Sequence, residues 1–284
     1  MTDSSAYARE RATAEAAARE AGAFIRRHAG GIDPAAVRDK GHHDPVTFVD
    51  EEAQRLIAER LHAAFPGDGL LAEEGADEPA IAPTSEGRRW IVDPLDGTKN
   101  FSRGVPPYAV SIALQDGPTL VLGVVLDVAH DELFSAVRGH GLTLDGRPVS
   151  VSETDALGAS LIATGFPFRD YRYVRGYLEA LEAFMRTTSG VRRPGAAAVD
   201  LAWVACGRCD GFFEAGLAPW DSAAGVVLVE EGGGRVSGLP DGADPVFSGG
   251  IVASNGRLHA AMMEAAAPLG AAYAAVGGRL GLLG

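Results

Sequence analysis

Two aspartates that follow an apolar run are the residues of this chain best suited to chemistry. The segment Trp90–Phe101 reads W-I-V-D-P-L-D-G-T-K-N-F. Asp93 and Asp96 flank Pro94, and Gly97–Thr98 follow directly. The apolar start predicts a buried strand, and proline, which lacks a backbone N–H, predicts that the strand ends there and turns. Carboxylates bind hard cations and Gly-Thr amides can face phosphate oxygens, so the segment indicates a metal-phosphate site, with a plain polar turn as the alternative.

Two further acidic residues stand at the ends of other predicted elements. Glu73 follows the apolar run Leu70–Ala72, which predicts a strand, and the adjacent Glu74 would point to the opposite face. Asp221 follows Pro219 at the start of a predicted helix, where a carboxylate is stabilised by the helix dipole or acts as a cap. Four such carboxylates favour Mg²⁺ or Mn²⁺ over zinc, and two or three ions could bind phosphate and activate water. The sequence does not show that the four converge.

Asp50 is the fifth acidic candidate. It lies in the first turn of another predicted helix, with Thr47 in the predicted N-cap region. Its side chain either complements the helix dipole only or lies beside the loop after Asp93. Residues 40–50 contain Gly and Pro and are predicted to form a loop. We interpret the pair His42–His43 as solvent-exposed or as a gate for substrate, because the other candidate ligands are carboxylates.

The composition narrows the range of functions. The chain has 284 residues, 46% hydrophobic and 22% charged, which is an ordinary globular mixture. A formal net charge of −13 argues against binding to nucleic acid or to an anionic membrane, and it would repel a phosphate substrate unless cations occupy the site. No run is long enough to span a membrane, and residues 1–10 lack the pattern of a signal peptide. We interpret Cys206 and Cys209 as structural thiols of a reducing cytoplasm.

The remaining pattern predicts alternating helices and strands. Residues 4–29 predict an amphipathic helix ended by glycine, and three apolar runs between residues 108 and 137 predict an antiparallel meander. Asp145–Gly146 predicts a hairpin turn. Further predicted strands are 161–164, 209–215 and 251–253, and further predicted helices are 171–186, 195–206, 219–229 and one capped by Ser254–Asn255.

Less regular segments complete the chain. Residues 76–89 predict a mobile surface loop, and no role follows for residues 268–284. We expect an N-terminal α+β half, residues 1–150, that carries most of the metal ligands. A C-terminal α/β half, residues 151–284, would carry Asp221 and the substrate contacts.

Several segments resemble the motifs of the inositol monophosphatase family. W-I-V-D-P-L-D-G-T-K-N-F looks like its first signature, and P-W-D-S-A-A-G-V-V-L-V-E-E-G-G-G looks like its second. L-A-E-E-G, D-P-V-T-F-V-D, G-V-P-P-Y-A-V-S-I-A-L and T-G-F-P-F resemble its other segments, in the family's order. The resemblance implies a layered αβαβα sandwich of the α+β or α/β class, of the inositol monophosphatase and fructose-1,6-bisphosphatase type. It also implies Mg²⁺ dependence, lithium sensitivity and usually a homodimer.

The resemblance implies roles for individual residues. The implied metal ligands are the side chains of Glu73, Asp93, Asp96 and Asp221 and the backbone carbonyl of Leu95. The residues implied to orient and deprotonate the attacking water are Thr98, its partner Asp50, and Glu73. The implied substrate contacts are the amides of Gly97 and Thr98, the backbone of Ala197, the carboxylate of Glu214 and the basic Lys40.

Three positions depart from the family's usual pattern. Lys99 stands where many inositol phosphatases have Thr, and relatives that act on nucleotide phosphates also have lysine there. Ala196 replaces the usual Ser or Thr, which removes one small polar contact. Gly232 stands where the second signature usually has Ala, a change for which we expect little consequence.

The expected activity is hydrolysis of inositol monophosphate, or of a related small sugar or polyol phosphate, by metal-activated water. Fructose-1,6-bisphosphatase, histidinol-phosphate phosphatase and 3′-phosphoadenosine-5′-phosphate phosphatase are alternatives, because a shared fold leaves the substrate open. We expect specificity to depend on residues 166–172, Lys99 and Arg192–Arg193. A different class is also open: some relatives bind the transcription machinery, so the chain could be an RNA-polymerase-binding regulator with vestigial activity. A purely structural metal protein would leave Thr98 and Asp50 without a role.

Overall fold

The computed structural model describes residues 7–30, 38–41, 44–75 and 87–278, with backbone only at 38–41 and 44–46. The predictions for His42, for His43, for the side chain of Lys40 and for most of the loop 76–89 lie outside the described residues.

The helices and strands of the described residues alternate along the chain. The helices are α1 (Ala8–His28), α2 (Phe48–Ala64), α3 (Thr98–Ser102), α4 (Val174–Thr187), α5 (Ala197–Ala205), α6 (Pro219–Glu231) and α7 (His259–Ala275). The strands are β1 (Arg38–Gly41), β2 (Asp44–Val46), β3 (Gly69–Ala72), β4 (Arg88–Asp96), β5 (Ala109–Asp116), β6 (Thr119–Asp127), β7 (Glu132–Val137), β8 (Leu142–Leu144), β9 (Arg147–Pro148), β10 (Leu161–Thr164), β11 (Gly190–Arg192), β12 (Gly211–Ala215), β13 (Arg235–Gly238) and β14 (Gly250–Ser254).

A seven-stranded sheet contains Asp93 and Asp96 in its second strand. Its order is β3-β4-β5-β6-β7-β8-β9, and β3 is parallel to β4 whereas the other neighbours are antiparallel. The strands from β5 to β7 confirm the predicted meander. Asp145 (φ 48°) and Gly146 (φ 76°) form the predicted turn between β8 and β9, since both have the positive φ that such a tight hairpin requires.

A second sheet of five strands has the order β11-β10-β12-β14-β13. β10 is parallel to both of its neighbours, and β14 is antiparallel to both β12 and β13. Our sequence analysis missed β11 and β13. Both are short strands at the edges of the sheet, where few side chains are buried, so neither has a long apolar run.

Pairs of helices cover and separate the two large sheets. α1 and α2 pack on one face of the seven-stranded sheet, α5 and α6 lie between the sheets, and α4 and α7 pack on the far face of the five-stranded sheet. This order of layers confirms the predicted αβαβα sandwich. The two large sheets draw on residues 69–148 and 161–254, while the division of the chain at residue 150 stays a prediction.

Glycine allows α6 to lie directly on the seven-stranded sheet. A Cβ on Gly123 of β6 would overlap the backbone of Ala224 in α6. A Cβ on Gly225 would likewise overlap Leu201 of α5. The absence of these side chains brings the start of α6, and with it Asp221, close to β4 and β5.

A β-bulge in β4 corrects the expectation that this strand stops at Pro94. β4 continues to Asp96, and its register against β5 shifts between Asp93, which pairs with Ser111, and Asp96, which pairs with Ala109. Three steps along β4 therefore match two steps along β5, so β4 contains one extra residue. Proline is tolerated in such a bulge. Because Ser111 and Ala109 lie on one face of β5, the bulge places Asp93 and Asp96 on the same face of β4.

One other segment differs from the prediction. The predicted loop 40–50 overlaps an antiparallel pair formed by β1 and β2. α7 continues through Pro268, and a Cβ on Gly176 of α4 would overlap the Pro268 carbonyl, so glycine allows the two helices to approach closely. Within the described ranges, no helix combines the length and the apolar character that a membrane span requires.

Candidate active site

One cavity is lined by nearly all of the residues for which the sequence predicted a role. These residues are Glu73, Asp93, Leu95, Asp96, Gly97, Thr98, Ala197, Glu214 and Asp221. Asp50 reaches the cavity through a hydrogen bond with Thr98. The structure thus answers the question that the sequence left open, because the four acidic elements do converge.

Four carboxylates form what we call the floor of the cavity: Glu73, Asp93, Asp96 and Asp221. Glu73 directly follows β3, and its N–H donates to the carbonyl of Val92 in β4 (3.2 Å). The face of β4 that carries Asp93 and Asp96 looks toward α6, because Ser111 Oγ on the same face donates to the carbonyl of Trp220 (3.1 Å). Asp221 is the next residue after Trp220, which brings it to the two aspartates of β4.

Backbone N–H groups hold three of the floor carboxylates in place. Asp93, Asp96 and Asp221 each accept a hydrogen bond at one oxygen from a backbone N–H, those of Leu95 (2.9 Å), Ala198 (2.8 Å) and Ala218 (2.7 Å), respectively. A carboxylate has two oxygens, so one can orient the side chain while the other binds a ligand. Asp221 lies in the first turn of α6, as the sequence predicted.

The floor is electrostatically strained. Burial raises the pKa of Asp93 well above its usual value, and the charges of Glu73, Asp96 and Asp221 raise it further. Burial and the charge of Asp221 also raise the pKa of Asp96. Within the described ranges, no three His, Cys, Asp or Glu side chains are arranged to hold a metal ion as they stand. The donor set nevertheless fits Mg²⁺ or Mn²⁺, because these hard cations prefer carboxylate and carbonyl oxygens and would neutralise the repulsion.

A chain of hydrogen bonds connects the cavity to the start of α2. Thr98 Oγ1 lies 2.9 Å from Asp50 Oδ1 and 3.0 Å from the carbonyl oxygen of Leu95, so its proton points to one of these acceptors. Asp50 Oδ2 accepts from both the N–H (2.8 Å) and the hydroxyl (2.6 Å) of Thr47. Thr47 is the N-cap of α2, as predicted. Burial raises the pKa of Asp50, while the hydrogen bonds from Thr47 and Thr98 act in the opposite direction.

The loop between β4 and α3 requires glycine and is fixed by an asparagine that the sequence analysis did not single out. Gly97 has φ 85°, and a Cβ there would lie 3.1 Å from the carbonyl oxygen of Pro107. Asn100 Nδ2 donates to the carbonyls of Pro107 (2.8 Å) and Pro194 (2.9 Å). Asn100 therefore holds α3 against the segment that precedes α5. In the sequence, only its position inside the first signature could have indicated this role.

Glu214 lies on the wall of the cavity and is buried. Burial and the charge of Asp221 raise the pKa of Glu214 to about 8, although Arg193 and Arg169 act against this shift. Gly165 faces the side chain, because a Cβ at Gly165 would overlap the Glu214 carboxyl group. Glycine at 165 is thus what leaves room for Glu214.

Two other buried side chains near Glu214 also escaped the sequence analysis. Tyr173 donates a hydrogen bond to the carbonyl of Ala215 (3.0 Å), and Gly216 leaves room for its hydroxyl. Asp200 of α5 is buried, its pKa is raised by burial and by Glu214, and its Oδ1 accepts no hydrogen bond from the described residues. Asp200 stands in an apolar helical run, so only its charge could have drawn attention to it.

The mouth of the cavity contains several of the residues on which we expected specificity to depend. Lys99, Phe166, Phe168, Arg169 and Arg193 line it. Arg192 does not line this cavity; it lines a separate groove.

The structure gives a reason for one departure from the family pattern and agrees with another. A Cβ on Gly232 would lie 2.6 Å from the carbonyl oxygen of Ala205, so the close approach of α5 and α6 favours glycine here. The expectation that the change from Ala to Gly has little consequence stays a prediction. Ala196 is the N-cap of α5 and makes no side-chain capping hydrogen bond, which is the loss of a polar contact that we expected.

Comparison with known proteins agrees with this fold and site. The profile of the inositol monophosphatase family matches residues 7–270. The Nus factor SuhB of Pseudomonas aeruginosa is 42% identical over 256 residues, which cover 89% of this chain and 93% of that protein. The inositol-1-monophosphatase of Mesorhizobium japonicum is 41% identical over 249 residues, which cover 88% and 92%.

A solved structure of a related protein has the same fold. The extragenic suppressor protein suhB from Bartonella henselae superposes with a TM-score of 0.83 at 39% identity, covering 90% of this chain and 97% of that chain. The fold and the acidic cavity define a phosphatase of the layered αβαβα class. The chain belongs to the inositol monophosphatase family.

Proposed function

We propose that the chain hydrolyses inositol monophosphate, or a related small sugar or polyol phosphate, with Mg²⁺ as its cofactor. The observation that carries the proposal is the convergence of the floor carboxylates and the Thr98–Asp50 pair on one cavity. The relatives named inositol-1-monophosphatase, at 41% identity, support the same reaction class.

The floor would hold the metal. We assign two or three Mg²⁺ ions to the side chains of Glu73, Asp93, Asp96 and Asp221 and the carbonyl oxygen of Leu95. Thr98 Oγ1 lies 3.0 Å from this carbonyl oxygen, which has two lone pairs, so one remains for a ligand even when Thr98 donates to the other. Mn²⁺ would substitute, because it prefers similar oxygen ligands. When bound, the cations supply Lewis acidity that favours ionisation of a water and neutralises charge on the phosphoryl oxygens.

Thr98, Asp50 and Glu73 would orient the attacking water. The hydroxyl proton of Thr98 points to Asp50 or to Leu95, so a lone pair of Oγ1 remains to accept a hydrogen bond from water. Asp50 keeps Thr98 in this acceptor orientation, and Thr47 fixes Asp50 in turn. Glu73 is the carboxylate that would receive the proton, in the role of a general base. In-line attack by this water would need no covalent phosphoenzyme.

Other residues would bind the substrate itself. The first N–H groups of a helix have no acceptor within the helix, so the amides of Gly97 and Thr98 would face phosphate oxygens. Glu214 would accept hydrogen bonds from hydroxyls of the polyol, and the backbone of Ala197 would contact its ring. Lys40 is proposed as a basic contact from the resemblance alone. We also propose, on that basis, a homodimer, inhibition by Li⁺ and a cytoplasmic location.

A regulatory role in transcription is the second candidate. It is favoured by the 42% identity to the Nus factor SuhB of Pseudomonas aeruginosa. The floor argues for catalysis, because a pure scaffold gains nothing from clustered carboxylates that repel one another. A pull-down that recovers RNA polymerase, together with no phosphatase activity, would favour the regulatory role.

The test is phosphate release with Mg²⁺, with and without Li⁺, from inositol 1-phosphate, fructose 1,6-bisphosphate, histidinol phosphate and 3′-phosphoadenosine 5′-phosphate. We expect turnover of inositol 1-phosphate that Li⁺ blocks. Turnover of another compound alone would keep the chemistry and change the substrate, whereas no release from any of the four would contradict the proposal.

A further inference from the structure

The loop after β4 and the start of α5 meet at a junction that the proposed chemistry does not use. At this junction Asn100 of α3 donates from Nδ2 to two backbone carbonyls, those of Pro107 (2.8 Å) and Pro194 (2.9 Å). The first acceptor lies between α3 and β5, and the second lies between β11 and α5. A carbonyl oxygen only accepts, and the NH₂ group of a single asparagine supplies one donor to each. Asn100 therefore joins two segments that are far apart in the chain.

Gly97 packs against the same two segments, in the first turn of α3. A Cβ at Gly97 would lie 3.1 Å from the carbonyl oxygen of Pro107, 3.3 Å from Ala196 Cβ and 3.4 Å from the carbonyl oxygen of Gly195. The backbone of Gly97 thus fits between the two segments without room for a side chain. Since Asn100 holds both segments, its hydrogen bonds fix how closely they approach this backbone.

The start of α5 is held by contacts from this loop. Ala196, the N-cap of α5, makes no side-chain capping hydrogen bond. The N–H of Ala198 donates instead to Asp96 Oδ2 (2.8 Å), directly before Gly97. Gly195 packs on Asn100, because a Cβ there would lie 3.2 Å from Asn100 Nδ2. Contacts from another part of the chain thus take the place of a local cap.

We propose that Asn100 is a positioning residue that sets the start of α5 against the amides of Gly97 and Thr98. This inference rests on the proposed function, in which those amides face the phosphate and the backbone of Ala197 contacts the organic part of the substrate. A substrate that contacts both sides reacts well only if their separation is correct, since a displacement of ~1 Å can lower a rate by about 100-fold. Asn100 lines the cavity, but its NH₂ group is engaged by the two carbonyls, so it acts through the segments that it joins.

The chain offers a matched asparagine whose role is structural. Asn255 is buried, and its Nδ2 donates to Ser152 Oγ (3.0 Å) and to the carbonyl of Thr154 (2.7 Å). Its Oδ1 also accepts from the N–H of Leu258 (3.1 Å), and Asn255 lies outside the cavity. Asn255→Ala therefore loses at least as many hydrogen bonds as Asn100→Ala does, but away from the candidate active site.

The test compares steady-state hydrolysis with the binding of inorganic phosphate. The substrate is the one of inositol 1-phosphate, fructose 1,6-bisphosphate, histidinol phosphate and 3′-phosphoadenosine 5′-phosphate that the wild type hydrolyses fastest. For Asn100→Ala, we expect kcat/KM to fall about 30-fold or more, because the organic part of the substrate is no longer aligned with the phosphate. The Ki of inorganic phosphate as a competitive inhibitor should change less than about threefold, because phosphate alone does not contact Ala197.

Two further variants separate this role from an effect on folding. Asn255→Ala should leave kcat/KM and Ki unchanged, although urea unfolding should show a loss of stability at least as large as that of Asn100→Ala. Gly195→Ala keeps Asn100 but adds a Cβ 2.7 Å from Arg193 Nη1 and 3.2 Å from Asn100 Nδ2. It should lower kcat/KM about tenfold or more with little change in Ki, and it decides the question if Asn100→Ala does not fold.

Three results would overturn the inference while leaving the proposed function intact. One is a kcat/KM close to that of the wild type in Asn100→Ala, or in Gly195→Ala where it takes the place of that variant. Another is an equal loss in Asn255→Ala, which would make the effect one of stability. The third is a rise in Ki as large as the loss in kcat/KM, which would show that Asn100 acts on the phosphate site alone. No hydrolysis of any of the four compounds would contradict the proposed function itself, and the inference with it.

Discussion

The carboxylates of the floor and the exposed cations at the mouth of the cavity, which we call the rim (Lys99, Arg169 and Arg193), line the same cavity but differ in burial and in partners. Asp93 is buried, surrounded by like charges and held by a backbone N–H. Arg193 is exposed and stacked on the ring of Phe166. Like charges clustered around a buried carboxylate cost free energy of folding, whereas an exposed stacked cation costs little.

This contrast separates two tasks. The repulsion within the floor is relieved either by protonation, which the raised pKa of Asp93 favours, or by a bound cation, which its oxygen donors fit. The rim needs no compensation, so its residues can change with little effect on folding. We therefore expect variants of the floor to lose catalysis and variants of the rim to change substrate preference. Variants at Glu214 and Gly165, on the wall between floor and rim, should have effects of intermediate size.

The largest effect is expected from Asp93→Asn. It removes a charge from the floor without changing the size of the side chain, and turnover should fall by roughly 1,000-fold or more. The metal-free variant should fold at least as stably as the wild type, because one of the repelling charges is gone. The control is Asp131→Asn, at an exposed turn position with φ 57° that asparagine tolerates. Near-normal phosphate release by Asp93→Asn would contradict the assignment of the floor as the catalytic metal site.

A smaller effect is expected at Thr98. Thr98→Val keeps the shape of the side chain but removes the hydroxyl that links the cavity to Asp50, and kcat should fall roughly 100-fold. Thr98→Ser retains the hydroxyl and should keep most of the activity. Equal activities of the two variants, measured as steady-state phosphate release, would show that the hydroxyl has no part in orienting water.

Gly165→Ala tests the region between floor and rim. The new Cβ would overlap the Glu214 carboxyl group, so Glu214 must move, and KM should rise about tenfold. Gly158→Ala is the matched control, because a Cβ there meets no atom nearer than 4.0 Å. An unchanged KM in Gly165→Ala would argue against a contact between Glu214 and the substrate.

Glu214 should also make the stability of the metal-free chain depend on pH. Its pKa is raised to about 8, so the folded state binds this proton more tightly than the unfolded state does. The resulting stability is fully present below about pH 4.5 and is lost as the pH rises to about 8. We would measure the free energy of unfolding in urea at several pH values across this range. As the pH rises, the free energy of unfolding of Glu214→Gln should increase by roughly 1–3 kcal/mol relative to that of the wild type. The stability of the exposed control Glu182→Gln should change with pH as that of the wild type does. If the stability of Glu214→Gln also changed with pH as the wild type does, the raised pKa of Glu214 would be contradicted.

The sequence was most informative where one local pattern determines one local structure. Thr47 and Asp50 predict the start of α2, Pro219 and Asp221 predict the start of α6, and Asp145–Gly146 predicts a hairpin turn; all three are observed. In each of these three cases the residues that decide the structure are close together in the chain. The layered fold, by contrast, was implied by the resemblance of the motifs to those of the family.

What the sequence could not show depends on contacts between distant segments. The bulge that places Asp93 and Asp96 on one face is visible only in the register against β5. The requirement for glycine at 232 depends on the carbonyl of Ala205 in another helix. The stacking of Lys99 on Phe168 likewise joins segments far apart in the chain.

Calorimetric titration of Mg²⁺ into the metal-free protein tests whether the floor binds this cation. We expect saturable binding by the wild type, and binding at least about tenfold weaker in Asp93→Asn, because one charged oxygen ligand is lost. We also expect Arg193→Ala, which changes only the rim, to bind Mg²⁺ as the wild type does. Equal affinities for the wild type and Asp93→Asn, or no binding by the wild type, would contradict the proposed metal site.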